Sequence, residues 1–170
     1  MKNLGLTIFC IAVFLINAAF AQESTYTDDK LGFSITYPSG YRVLKNYQKN
    51  VPLLIFLPSR TMIFNDYIAI NITNVRLLSR PIEELIDINF KYDKTVLEKK
   101  DMVINGIKFI TVTQTQTQKI LFFNLKLKLY HIICFKGAKI YTITYTATAE
   151  TFDKNLDQAK KIMYSFRNVS

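Results

Sequence analysis

Between Met102 and Ala149 the sequence alternates apolar and polar side chains in step with a β-strand and is twice interrupted by residues suited to a tight reversal. That pattern commits the second half of the chain to antiparallel strands joined by hairpins. The first reversal, Asn105-Gly106, lies between Met102-Val103-Ile104 and Ile107-Lys108-Phe109-Ile110 and is the strongest short-range hairpin signal in the sequence. The second is Lys136-Gly137-Ala138-Lys139. Between them run Thr111–Gln118 (TVTQTQTQ) and Asn124–Lys136 (NLKLKLYHIICFK), the latter passing from a one-sided apolar pattern to one apolar on both faces. Ile140–Ala149 (IYTITYTATA) follows, with Thr142, Thr144, Thr146 and Thr148 opposite Tyr141, Ile143, Tyr145 and Ala147.

Upstream the signals are shorter. Glu23–Lys30 (ESTYTDDK) is polar and reads as a leader, so residues 22–30 are expected to precede a single domain spanning 31–170. Gly32–Tyr37 (GFSITY) alternates with Phe33, Ile35 and Tyr37 on one face, and Pro38-Ser39-Gly40 ends it in a turn. Tyr41–Leu44 predicts a second short strand after that turn. Leu53–Leu57 (LLIFL) is a continuous apolar run, as in a strand covered on both sides. Tyr67–Val75 places Ile68, Ile70 and Ile72 on one apolar face. Ser79 and Pro81 announce a helix with Ile82, Leu85, Ile86 and Phe90 at helical spacing and Glu83 and Glu84 near its positive end. A closing helix over Thr151–Phe166 aligns Phe152, Leu156, Ala159, Met163 and Phe166 in one stripe, with Thr151 as its cap. Strands, a helix, further hairpin strands and a terminal helix predict an α+β domain whose mostly antiparallel β-sheet is covered by helices.

Residues 1–21 (MKNLGLTIFCIAVFLINAAFA) carry one charge, Lys2, then an apolar run, and end in Ala19-Phe20-Ala21. This is the layout of a secretory signal peptide cleaved near Ala21, and it predicts export to the periplasm or the extracellular space. Retention of the segment as a membrane anchor is the competing reading. The chain carries 22 Lys and Arg against 13 Asp and Glu, a net charge of +9, and cleavage would leave 149 residues at +8. Of two cysteines only Cys134 would remain, so a core and not a disulfide must hold the fold.

Nucleophilic catalysis of the Ser-His-Asp or Cys-His kind needs a histidine, and His131 is the only one. It lies three residues from Cys134, which on a strand puts the two on opposite faces and precludes a dyad within that strand. The expected role of His131 is a core or interface histidine hydrogen-bonded to backbone, and that of Cys134 a small buried hydrophobe. The acidic doublets Asp28-Asp29 and Glu83-Glu84 have no ligand loop around them. Phosphate-loop, dinucleotide and nucleophile-elbow patterns are missing from the sequence. The expectation is a protein with no enzymatic activity, no metal and no cofactor, the alternative being a hydrolase with polar groups converging on His131.

Two stretches together resemble a known family. GFSITYPSGYRV (Gly32–Val43) is similar to the opening of the PsbP-like domain, an alternating strand ending in a Pro, a small turn and an aromatic. KIYTITYTATAETFDKNLDQAKKIMYSFR (Lys139–Arg167) is similar to the same family's ending, a strand and a helix closing in a Ser-Phe pair, here Ser165-Phe166. The family includes the lumenal PsbP proteins of photosystem II, nuclear Mog1 proteins and the bacterial envelope protein DcrB. The resemblance implies an α/β/α sandwich and a role as an accessory or protein-binding module. The secretory leader favours the bacterial envelope branch.

The lysines are dispersed, so their first reading is solubility, and export argues against nucleic acid. The partner expected is an envelope protein with an acidic surface, bound by a monomer, with peripheral contact to an anionic membrane as a lesser alternative. Two segments are candidate contact surfaces. Met62-Ile63-Phe64 sits in a loop between strands, and Thr113–Gln118, with Gln114 and Gln116, is polar on both faces, as in a strand edge or overhang able to accept another chain. Lys126 and Lys128 face outward from the adjacent strand. An alternative function is carriage of a small apolar ligand or lipid in a pocket between sheet and helix lined by Phe90, Tyr130 and Phe166.

Overall fold

The two reversals fold as their residues dictate in the computed structural model, which describes residues 22–58, 64–75, 84, 90, 93–120 and 123–169. Asn105 and Gly106 both take positive φ (53° and 76°), the requirement of a two-residue hairpin whose twist matches its strands. They join β6 (Val96–Ile104) to β7 (Ile107–Ile120). Gly137, at φ 58°, begins the reversal between β8 (Phe123–Lys136) and β9 (Lys139–Thr148). Upstream of them lie β3 (Arg42–Gln48), β4 (Val51–Phe56) and β5 (Tyr67–Asn74). These seven strands form one sheet in the order β3-β4-β5-β9-β8-β7-β6, with every neighbouring pair antiparallel.

A second, three-stranded antiparallel sheet was not expected from the sequence. It contains β1 (Glu23–Asp28), β2 (Phe33–Pro38) and β10 (Arg167–Asn168) in the order β1-β2-β10. Residues 22–30 are therefore not an unstructured polar leader, because Glu23–Asp28 pairs along its whole length with β2. Its side chains alternate between exposed and half-buried, so no apolar face announces it. The strands read from GFSITY and YRVL also belong to different sheets. The turn at Pro38-Ser39-Gly40, held by Tyr41 N–H to Pro38 O (3.1 Å) and Ser39 N–H to Gln22 O (2.8 Å), carries the chain from one layer to the other.

The main core lies between the front face of the large sheet and a layer made of β2 and the helix α1 (Phe152–Tyr164). Phe33 and Ile35 from β2, Ile55, Ile70, Ile132, Ile143 and Tyr145 from the large sheet, and Ala159 and Met163 from α1 are all fully buried there. Burying such side chains contributes about 1.5–3 kcal/mol each, which explains how the domain holds without a disulfide. Thr151 precedes α1 but its hydroxyl makes no cap hydrogen bond. It donates instead to Asp66, for the reason given below. The reverse face is also buried at Leu54, Ala69, Val112, Leu129, Ile133, Thr144 and Thr146. Phe90, which is helical, packs there against Ile110, Val112 and Ile133. Most of the predicted helix over 79–90, the segment 1–21 and the pair Met62-Ile63 lie outside the described residues. No helix among the described residues is long and apolar enough to cross a membrane.

Candidate functional site

His131 and Cys134 stand on opposite faces of β8, as their odd spacing requires. Cys134 is fully buried in the front core, and burial pushes its thiol up to about 12. His131 is buried on the reverse face beside Thr144, its Nδ1 2.8 Å from the Thr144 hydroxyl and its Nε2 without a partner among the described residues. The partner is thus a side chain on β9, not the backbone expected from the sequence. Burial lowers the imidazole to about 4, so the ring is neutral at physiological pH.

Sequence reading missed Asp66, a carboxylate with no exposed surface just before β5. It accepts hydrogen bonds from the Thr151 hydroxyl (2.9 Å) and the Asn155 amide (2.8 Å) at the start of α1, where negative charge is favoured. Thr151 also contacts the Thr148 hydroxyl at 2.8 Å. Burial and then the nearby Asp66 charge raise the Tyr145 phenol above its ordinary range. No spacing rule links Asp66 to partners 85 and 89 residues away. The group anchors the helix and is closed to solvent.

The three residues expected to line a ligand pocket do not converge. Phe90 packs on the reverse face, whereas Tyr130 and Phe166 belong to the front core. Phe166 is fully buried among rings, stacked on Phe33 at 5.9 Å with Phe109 and Tyr141 edge-on or tilted against it. The Tyr130 hydroxyl lies 2.8 Å from that of Tyr164. Three hollows lined by described residues are open at the surface. One of about 510 Å³ lies between β2 and α1, lined by Thr36, Tyr37, Gln158, Lys161, Ser165 and Arg167 among others. At its base the Ser-Phe pair has a structural task. Ser165 Oγ accepts the Thr36 N–H (2.8 Å) as a backbone neighbour of β2 would, its one proton faces the carbonyls of Ile162 (2.6 Å) and Thr36 (3.0 Å), and Phe166 fills the core.

The outward-facing candidates separate into engaged and free groups. Phe64 is half-buried with its ring 5.8 Å from that of Tyr67. Lys128 bonds Asp153 at 3.1 Å and lies over the Phe152 ring, so it is committed within the chain. Gln114 is half-buried with its Oε1 enclosed and unpartnered among the described residues. Gln116 and Lys126 are exposed. They sit on a two-stranded ribbon, because β7 and β8 run past both neighbours. The last pair of β7 with β6 is Gln114 with Val96, and the last pair of β8 with β9 is Leu127 with Thr148, while β7 and β8 pair on to Ile120 and Phe123. From Thr115 to Lys119 every side chain is exposed. Register puts Thr115, Thr117, Lys119 and Lys126 on the front of this ribbon and Gln116 and Gln118 on its reverse.

No family model matches the chain, and no curated protein matches its sequence. Its structure is similar to solved ones. The solution structure of cyanobacterial PsbP (CyanoP) from Synechocystis sp. PCC 6803 matches with a TM-score of 0.60 at 13% identity, over 89% of this chain and 95% of that one. LpqN, involved in cell envelope biogenesis of Mycobacterium tuberculosis, matches at 0.61 and 9% identity over 93% and 96%. PA94 from Pseudomonas aeruginosa, a protein of unknown function and putative regulator, matches at 0.56 and 10% identity over 85% and 95%. The fold is PsbP-like.

Proposed function

We propose that this protein is an exported, non-enzymatic accessory module of a bacterial cell envelope that binds another envelope protein. The observation that carries the reading is the contrast between its interior and its projecting ribbon. The aromatic side chains expected around a ligand are divided between two faces of the sheet or packed against one another. The ribbon, by contrast, presents exposed Thr, Gln and Lys side chains beyond the covered part of the sheet. The likeness to LpqN and CyanoP supports an accessory role on this fold, although fold alone does not fix function. The leader-like residues 1–21 support export. The excess of Lys and Arg supports an acidic partner surface, with anionic lipid as a secondary contact. The burial of both faces of the large sheet supports the α/β/α arrangement, with Phe90 part of the second covering layer.

The test is formaldehyde cross-linking in the intact native envelope, followed by affinity recovery and mass spectrometry. The expected result is one acidic-surfaced envelope protein enriched over a tagged control. Recovery of lipid with no protein partner would overturn the reading in favour of a carrier.

A further inference from the structure

We infer that the outer edge of β7 from Gln116 to Lys119 is the docking site, and that it takes an extended acidic segment of the partner as an added strand. This rests on the protein-binding reading and specifies its surface. The Thr115 N–H donates to Thr95 O at 2.9 Å, which fixes Thr115 as facing the β6 side of the ladder. Along an antiparallel strand successive residues direct their backbone groups to alternate sides. Thr117 and Lys119 therefore point N–H and C=O the same way as Thr115, while Gln116 and Gln118 bond β8. Beyond the pair Val96 with Gln114, no strand among the described residues lies on that side. With the Thr115 N–H taken by Thr95, the open stretch is the four residues Gln116–Lys119, within the usual roughly 3–10 of a strand.

Charge selects the occupant. Lys119 and Lys126 lie diagonally on the front of the ribbon, exposed, and neither forms an ion pair among the described residues. On its front face a strand laid beside Thr117 and Lys119 meets Lys119 directly and Lys126 about 10 Å away, across β7; on its reverse it meets the amides of Gln116 and Gln118. Asp or Glu at alternate positions would complement the first and small polar residues the second. A second copy of this chain would bring two basic edges together, and like charges across strands are destabilising.

The experiment places a photo-crosslinking benzophenone residue at Gln118 of the full chain in its native envelope, and separately at the exposed control position Asp29. Two variants accompany it. Lys119→Glu with Lys126→Glu reverses the charge. Thr117→Pro removes an N–H that serves no hydrogen bond among the described residues, so its fold should survive, as circular dichroism would check. The expected result is an adduct from Gln118 to a protein segment bearing Asp or Glu. Charge reversal should lower its yield about fivefold, as the cross-strand attraction to Lys119 becomes repulsion and the longer-range attraction to Lys126 reverses with it. Thr117→Pro should lower it similarly in a folded protein. An adduct only from Asp29, or one insensitive to both variants, overturns the edge site. An adduct to a second copy overturns the acidic occupant. Formaldehyde capture of a partner without any Gln118 adduct sinks the edge and leaves the protein-binding reading standing; failure of both removes the reading itself.

Discussion

Asp66→Ala should be among the most damaging single substitutions in this chain, although no exposed surface changes. The carboxylate is fully buried and accepts two hydrogen bonds at the start of α1, from Thr151 and Asn155. Hydrogen bonds to a charged group contribute about 1.5–3 kcal/mol each, and the favourable position at the helix start adds about 0.5–1 kcal/mol. Such terms do not add fully, since the Thr151 hydroxyl retains Thr148 as a partner. The expected loss is about 3–5 kcal/mol, which for a domain of this length lowers the thermal midpoint by roughly 10–15 °C. Asp66→Asn keeps an acceptor oxygen without the charge and should lose about half as much. The assay is thermal and urea denaturation followed by circular dichroism, comparing both variants with the parent chain. A loss below about 1 kcal/mol for Asp66→Ala, typical of an exposed carboxylate, would refute the claim that this group ties α1 to the start of β5.

Three further outcomes follow from the same geometry. His131 is buried and neutral with its imidazole lowered to about 4, whereas the unfolded chain takes up a proton near 6.5. Stability should therefore fall as pH drops below about 6.5 and level off below about 4, by roughly 2–3 kcal/mol between pH 7 and pH 4.5. Urea midpoints at the two pH values check this, and His131→Phe should remove most of the difference. Ser165→Ala leaves the Thr36 N–H without its acceptor and should cost about 1–3 kcal/mol, with faster hydrogen exchange at that amide as the local signature. Cys134, fully buried with its thiol pushed up to about 12, should resist thiol-reactive dyes in the native protein and react only on adding denaturant.

What the sequence revealed was what its local chemistry determines. Asn105-Gly106 and Gly137 specify reversals through backbone conformation, and strict alternation specifies which residues of each strand share a face. Alternation does not say against which layer a face will pack. For that reason Phe90 fell on the far side of the sheet from Tyr130 and Phe166, and the strands read from GFSITY and YRVL parted into different sheets. ESTYTD escaped notice because a strand with one exposed and one half-buried row shows no apolar period. Asp66 was invisible because its partners are remote in sequence, and the same pairing drew the Thr151 hydroxyl away from its expected cap. The ribbon was the most readable part of the candidate site. Polar residues on both faces of Thr113–Gln118 mark a strand that leaves the covered core, and Gln116 and Lys126 are exposed there. The engagement of Lys128 by Asp153 depends on how α1 packs, which no pattern within β8 records.

In the proposed function this fold works by its surface and holds no ligand between sheet and helix. Native mass spectrometry of the protein gently released from its own envelope tests that directly. The account predicts the mass of the polypeptide alone, or of the polypeptide with one partner protein that dissociates as salt is raised. A stoichiometric adduct of a few hundred daltons, removed by organic extraction and restored by added lipid, would contradict it.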